Sequence, residues 1–216
     1  RNITNTNYNK GKILSWNIHY GYGFNEAFNL DRMSKLLENE NAEVYILQEV
    51  IQSESINQQK YLKERLNIEN SYYVPDIKVC DIFQGNLILS RNIIFECRKY
   101  KLNQWYGHNN NNIIAIKTKF NDKMTWIVNL HFDGDITLFH QEYQLKELKK
   151  FILELKNDSD SFENIIVGGD FNLPQWSSLI NNTFKEYNIC NDDKLTYPSA
   201  KPIMKLDYFI TNYKNY

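Results

Sequence analysis

The run Gly168-Gly169-Asp170-Phe171-Asn172 follows directly on the apolar triplet Ile165-Ile166-Val167. A short buried strand that breaks at a glycine pair and releases a carboxylate and a carboxamide constrains the fold sharply. Those polar groups must sit where a strand end opens onto a cleft. The pattern recurs along the chain. Ser15-Trp16-Asn17 and Leu47-Gln48-Glu49-Val50 each close an apolar run, and Asn129-Leu130-His131 closes another. Leu206-Asp207-Tyr208-Phe209 embeds an acid in an apolar stretch near the C-terminus.

Strand ends that each deliver one or two polar residues imply one convergent site. Asn, Glu, His, Asp, Asn and Asp together form the inventory of a metal-dependent phosphoester hydrolase. Glu49 at a strand end suits Mg²⁺, which takes hard oxygen ligands and keeps several waters. The amide oxygen of Asn17 can orient or share that ion; alone, Glu49 would read as a solvent-exposed strand terminus. Asp170 can orient or deprotonate a water, and Asn172 can donate a hydrogen bond to a phosphoryl oxygen as charge develops. Gly-Asp followed by Pro174 is equally the signature of a rigid turn, and its position after a strand favours the functional reading. His131 can contact a phosphate or protonate a leaving oxygen. His19 either lines the same cleft or has a packed or surface role. His108 and His140 are expected to be structural, and Asp133 with Asp135 to form a polar loop rather than a second metal site. An acid inside an apolar strand needs a partner; for Asp207 that is a histidine it orients or a structural salt bridge.

The bulk numbers set the frame. A chain of 216 residues with 42% hydrophobic and 14% aromatic residues can build one substantial core. The expectation is a polar tail over residues 1–10 and a single domain over 11–216. A net charge of -1 argues against binding nucleic acid by bulk charge, though not against a local basic groove. No apolar run reaches the length of a membrane span. The three cysteines, Cys80, Cys97 and Cys190, form no Cys-x-x-Cys pair and are read as free thiols. Free thiols lean toward an intracellular setting, while the Asn-rich start at Arg1 is a solvated tail or the remnant of a longer N-terminus. The compartment stays open.

Patterning predicts strands over 13–18, 44–47, 86–89, 93–100, 113–120, 125–130, 165–167 and 206–211. Asn109 to Asn112 reads as a loop, and Asn121-Asp122-Lys123 as a hairpin turn. A helix capped by Asn29 is predicted from Leu30 to about Glu40, burying Leu30, Met33 and Leu37. Another is placed near Ser55 to Leu66, carrying Ile56, Leu62 and Leu66. The clearest runs from Leu138 to Leu155, with Leu145, Leu148, Ile152 and Leu155 on one face and a Glu142–Lys146 pair on the other. Strand hairpins among interspersed helices favour a mixed sheet or paired sheets over a doubly wound parallel fold.

The motifs Ser-Trp-Asn-Ile-His-Tyr-Gly, Leu-Gln-Glu-Val, Gly85-Asn86-Leu87-Ile88-Leu89-Ser90-Arg91, Asn-Leu-His, Gly-Gly-Asp-Phe-Asn and Leu-Asp-Tyr-Phe-Ile run in one order from Lys12 to about Thr211. With Thr196-Tyr197-Pro198 they resemble the endonuclease/exonuclease/phosphatase superfamily, related to deoxyribonuclease I, AP endonucleases and tyrosyl-DNA phosphodiesterase. The resemblance implies an α/β four-layer sandwich, two face-to-face mixed β-sheets flanked by helices. It implies Glu49 and Asn17 as metal ligands, Asp170 orienting the water, Asn172 stabilising the transition state and His131 on the phosphate. Asp207 would orient a second histidine. Such families close with Ser-Asp-His, yet no histidine follows His140 here, so either the given chain is trimmed or the final family strand is missing.

The function expected is a Mg²⁺-dependent phosphodiesterase (Mn²⁺ as a substitute) acting on nucleic acid, DNA first. Trp105, Tyr106 and Trp176 are candidates for stacking on bases, or else packing residues. The alternatives are a phospholipid or phosphoinositide head group as substrate, and a catalytically weak or silent module that binds a phosphorylated partner. No obligate protein partner is evident.

Overall fold

The structure, a computed structural model, describes residues 8–23, 27–102, 111–134, 137–157, 164–190 and 194–213. Two sheets stack face to face. The first contains β1 (Asn9–Asn17), β2 (Ala42–Gln52), β3 (Asn70–Val79) and β4 (Ile82–Ser90) in the order β1-β2-β4-β3. The second contains β5 (Ile94–Lys101), β6 (Asn112–Phe120), β7 (Lys123–His131), β8 (Asn164–Asp170), β9 (Asn188–Ile189) and β10 (Asp207–Thr211) in the order β5-β6-β7-β8-β10-β9. Both are mixed: β1 runs parallel to β2 and β7 to β8, while the other pairs are antiparallel.

Period-2 burial gives each sheet two apolar faces. The inner faces meet through Val44, Ile46, Ile88, Ile114, Ile116, Ile127 and Ile166. The outer face of the first sheet is covered by α1 (Leu30–Glu40) and α2 (Gln58–Leu66), which bury Met33, Leu37, Leu62 and Leu66 against Tyr45 and Leu47. The outer face of the second is covered by α3 (Leu138–Asn157) and the short α4 (Leu179–Thr183), which bury Leu145, Leu148, Ile152 and Leu155 against Trp126, Val128 and Val167. The result is the expected helix–sheet–sheet–helix sandwich.

Local signals explain most boundaries. Asn29 Oδ1 accepts the Arg32 N–H at 2.9 Å and starts α1 as predicted. Asn121 and Asp122 both have positive φ, 47° and 62°, and close the β6–β7 hairpin in two residues, with Phe120 paired to Lys123. Glu142 and Lys146 pair at 2.8 Å.

Three expectations need correction. The polar tail does not extend to residue 10, because β1 already begins at Asn9 beside Ala42. The second helix begins at Gln58, not Ser55, because Asn57 caps it through the Lys60 N–H at 2.8 Å, which leaves Ile56 ahead of the helix. Strand β3 was not anticipated. It accommodates Pro75 because β3 lies at a sheet edge and Pro75 sits at a break in register, where no ladder hydrogen bond is needed.

Candidate active site

The backbone aims the key side chains by departing from regular geometry. On β2, Leu47 pairs with Leu87 and Val50 with Gly85, so Gln48 and Glu49 together oppose Asn86 alone. That is a β-bulge, and Glu49 carries it with φ 56°. The bulge sends Gln48 into the sheet–sheet interface and turns the Glu49 carboxylate to the cleft at the strand end. On β8, Gly169 has φ 141°, and a Cβ there would lie 2.1 Å from Leu130 O. A Cβ at Gly168 would force the side chains of Phe209, at 2.4 Å, and Ile46, at 2.6 Å, to shift. The glycine pair lets β8 press against β7 and the opposite sheet while presenting Asp170, and Asn172 follows with φ 49°.

The presented groups converge. Asn17 Nδ2 donates to Glu49 Oε1 at 3.0 Å and to Asp170 Oδ2 at 3.3 Å, joining β1, β2 and β8. His131 Nε2 lies 3.8 Å from Glu49 Oε1 and 3.9 Å from Asp170 Oδ2. The Asn172 N–H donates to Asp170 Oδ1 at 2.9 Å, and its side-chain amide donates to Phe132 O at 2.7 Å. Asp207 pairs in register with Asp170 on β8. Burial, and then the neighbouring Asp170 charge, push the Asp207 pKa up to about 7, opposed by a Thr196 hydrogen bond and by nearby His131 and Lys205. Asp207 is therefore neither partnered by a second histidine nor held in a simple salt bridge. It forms an acidic pair with Asp170, held by the Thr196 hydroxyl.

The structure brings Asn17, Glu49, His131, Asp170, Asn172 and Asp207 together at one end of the two sheets. His19 is exposed; its backbone N–H donates to Asn17 Oδ1 at 3.0 Å and its ring lies beside Tyr20. Trp176 is exposed on the turn after Asn172. Trp105, Tyr106, His108 and Asp135 lie outside the described residues. Asp133 Oδ2 faces His140 Nε2 at 3.5 Å at the start of α3, consistent with structural roles for both. Cys80 and Cys97 are exposed free thiols, and Cys190 is exposed as well.

Residues without a signal in the sequence also shape the site. The Tyr20 phenol pKa is raised by burial and then by the charge of Glu49. Asp76 on β3 accepts from the Asn112 N–H at 2.7 Å, Asn112 Nδ2 at 2.9 Å and Asn86 Nδ2 at 3.0 Å. Burial still pushes its pKa up to about 7, against the Asn112 bonds and the charge of His131. A tyrosine or an aspartate in a strand carries no distinguishing pattern, so only the fold reveals these two.

The donor set was tested against a divalent cation. Glu49 Oε2 is buried and takes no hydrogen bond of normal geometry, which is an acceptor ready for a cation. Among the described residues no cluster of three or more His, Cys, Asp and Glu side chains forms a ready metal cage. Asn17 presents its amide nitrogen to the carboxylates, and its oxygen is held by His19. The fit is that of an open site completed by water and phosphate oxygens, which is how Mg²⁺ binds with few protein ligands.

A two-sheet α/β sandwich with an acidic, amide- and histidine-lined cleft at its strand ends defines the phosphoesterase class. The chain belongs to the Endonuclease/Exonuclease/phosphatase family, whose sequence profile matches residues 14–213. No curated protein matches it in sequence. Among solved structures it is similar to an endonuclease/exonuclease/phosphatase family protein from Leptotrichia buccalis, with a TM-score of 0.73 at 16% identity over 93% of this chain and 87% of that one. It is also similar to a mannosyl-6-phosphatase from Bacteroides thetaiotaomicron, with a TM-score of 0.70 at 16% identity over 92% and 84%. Truncated Caenorhabditis elegans TDP2 superposes with a TM-score of 0.67 at 16% identity over 92% and 82%.

Proposed function

We propose that the chain is a Mg²⁺-dependent phosphodiesterase that hydrolyses nucleic acid, with DNA as the first substrate to test. The Glu49 carboxylate, with its buried Oε2 facing away from the Asn17 bond and beside Tyr20, Asp170 and His131, supports this reading. The neighbouring folds range from a sugar phosphatase to TDP2, so the phosphodiester class rests on the site and its surroundings rather than on those likenesses.

Glu49 would hold the cation, and Asn17 would share it after turning its amide over. The cation would supply charge neutralisation at the phosphoryl group and the leaving oxygen. Asp170, fixed through Oδ1 by the Asn172 N–H, orients the attacking water with Oδ2. His131 Nε2 lies almost equidistant from both carboxylates, where it can contact a phosphoryl oxygen that enters between them. The Asn172 amide keeps its second N–H for the charge that develops on a phosphoryl oxygen. Asp207, poised near neutrality, supplies the carboxyl next to Asp170 with an exchangeable proton.

The test is cleavage of plasmid DNA by the chain with Mg²⁺ or with EDTA, using Glu49→Gln and Asp170→Asn as variants. Mg²⁺-dependent nicking that falls at least about 100-fold in both variants, with KM nearly unchanged for Asp170→Asn, supports the reading. Nicking that persists in EDTA ends the metal requirement. An unmodified chain that leaves DNA intact but hydrolyses a phospholipid or a sugar phosphate moves the substrate class instead.

A further inference from the structure

Two consecutive residues that carry a Cβ, His19 and Tyr20, hold left-handed backbone conformations, φ 45° and 58°, just after β1 ends. Sterics disfavour such a pair, and it persists only where neighbouring groups fix it. The side chain that reaches this turn is Gln58, the first residue of α2, which is fully buried. Gln58 Nε2 donates to Tyr20 O at 2.6 Å, and Gln58 Oε1 accepts the Ile51 N–H at 2.9 Å. β1 pairs with β2 only as far as Asn17 opposite Gln48, so β1 offers the Ile51 N–H no partner and the glutamine takes the strand's place. Gly21, with φ 94°, leaves room for this, since a Cβ there would lie 2.8 Å from Gln58 Nε2. On the other side of the bulge, the Ile18 N–H donates to Gln48 O at 3.1 Å. The bulge that carries Glu49 is thereby fastened before and after, by Ile18 and by Gln58.

The turn so held touches both candidate ligands. The His19 N–H donates to Asn17 Oδ1 at 3.0 Å, which sets the amide so that Asn17 Nδ2 donates to Glu49 Oε1 at 3.0 Å. The Tyr20 phenol reaches the Glu49 carboxylate as well. A carboxylate that binds a cation is kept in orientation by such outer hydrogen bonds, and cation affinity falls when one is lost. We propose that Gln58 is a positioning residue for the cation site: it locks the His19–Tyr20 turn to β2, and through that turn the Asn17 amide and the Tyr20 phenol hold the Glu49 carboxylate in place before a cation binds. The inference rests on the cation-dependent reading above and deepens it. Gln58 itself acts only through Tyr20 and Ile51. A buried amide that merely satisfied two backbone groups would stabilise the fold and leave cation affinity alone.

The experiment measures Mn²⁺ binding to the full chain, as loss of the free-ion electron paramagnetic resonance signal, beside urea unfolding of each variant. Gln58→Leu, which leaves Tyr20 O and the Ile51 N–H without this partner, should weaken Mn²⁺ binding at least about 10-fold. Tyr20→Phe leaves both Gln58 bonds intact and should weaken binding about 10-fold as well, so it carries the test if Gln58→Leu does not fold. The loss in Gln58→Leu/Tyr20→Phe should be no larger than in Gln58→Leu alone, because the two residues act in series. Leu66→Ala on the same helix removes packing alone; it should lower the urea midpoint and change Mn²⁺ affinity less than about two-fold. Hydrolysis of methyl p-nitrophenyl phosphate by Gln58→Leu should recover toward the unmodified rate as Mg²⁺ is raised. Mn²⁺ affinity unchanged in Tyr20→Phe, or in a folded Gln58→Leu, overturns the positioning role and leaves the phosphodiesterase reading standing. A loss equally large in Leu66→Ala does the same. An unmodified chain that binds no Mn²⁺ overturns both. Mn²⁺ binding that the variants weaken, in a chain that cuts no phosphodiester, keeps the positioning role and removes the hydrolase reading.

Discussion

Glu49 holds a left-handed backbone conformation that costs a non-glycine residue on the order of 1 kcal/mol or more. The strain turns the Glu49 carboxylate toward Asn17, Tyr20 and Asp170 and leaves its Oε2 buried, the acceptor that the proposed cation would use. Asp76 shows the same trade in a titrating form. Its folded pKa is about 7 and lies above the ordinary value of 3.8, chiefly through burial. A carboxyl raised in the folded state contributes stability that is complete below the unfolded pKa and is lost as pH rises through the folded one. Its loss therefore falls between about pH 4 and pH 7. The metal-free chain should unfold at lower urea at pH 8 than at pH 5, and Asp76→Asn should shrink that difference by on the order of 1 kcal/mol. An undiminished difference in the variant would show that Asp76 titrates normally.

The elements explain what the sequence made legible. Leu30, Met33 and Leu37 repeat at helical spacing and are buried as read, because a helix against a sheet must keep one apolar stripe. Gly-Gly-Asp-Phe-Asn announced a strand end because only glycine fits the backbone contact at 169. Gly169→Ala should destabilise the chain by more than about 2 kcal/mol, through the clash with Leu130 O and the positive φ. A urea midpoint within error of the unmodified chain would show that β8 can shift away from β7 at little cost. What stayed illegible is the bulge at Gln48–Glu49. Leu-Gln-Glu-Val alternates like any strand, and only pairing with β4 shows that two residues face one. Strand β3 was hidden for a similar reason, since its edge position, which makes Pro75 tolerable, is a property of the sheet. Asp76 gave no signal because it meets the site only through neighbours distant in sequence, Asn86, Asn112 and His131.

At the scale of the molecule, the two sheets are joined by a polar clasp as well as by their apolar faces. Asn129 of β7 is fully buried, and its amide donates to Leu47 O and Leu87 O at 3.0 Å while its oxygen accepts Gln48 Nε2 at 2.7 Å. The carbonyls are those at the break in register, so the clasp meets the bulge that aims Glu49. Asn129→Ala should cost about 2–4 kcal/mol, because several buried polar groups lose their partner at once. It should also lower turnover, since Glu49 and Asp170 sit on opposite sheets. A loss of stability with turnover intact would separate the clasp from the site. The division runs through the sequence as well. Every strand of the first sheet lies before residue 91 and every strand of the second after residue 93. Asn17 and Glu49 leave the ribosome well before His131, Asp170 and Asp207. A nascent chain thus carries half of this side-chain cluster until its second sheet docks, and the proposed hydrolysis would be interlocked with the completion of folding.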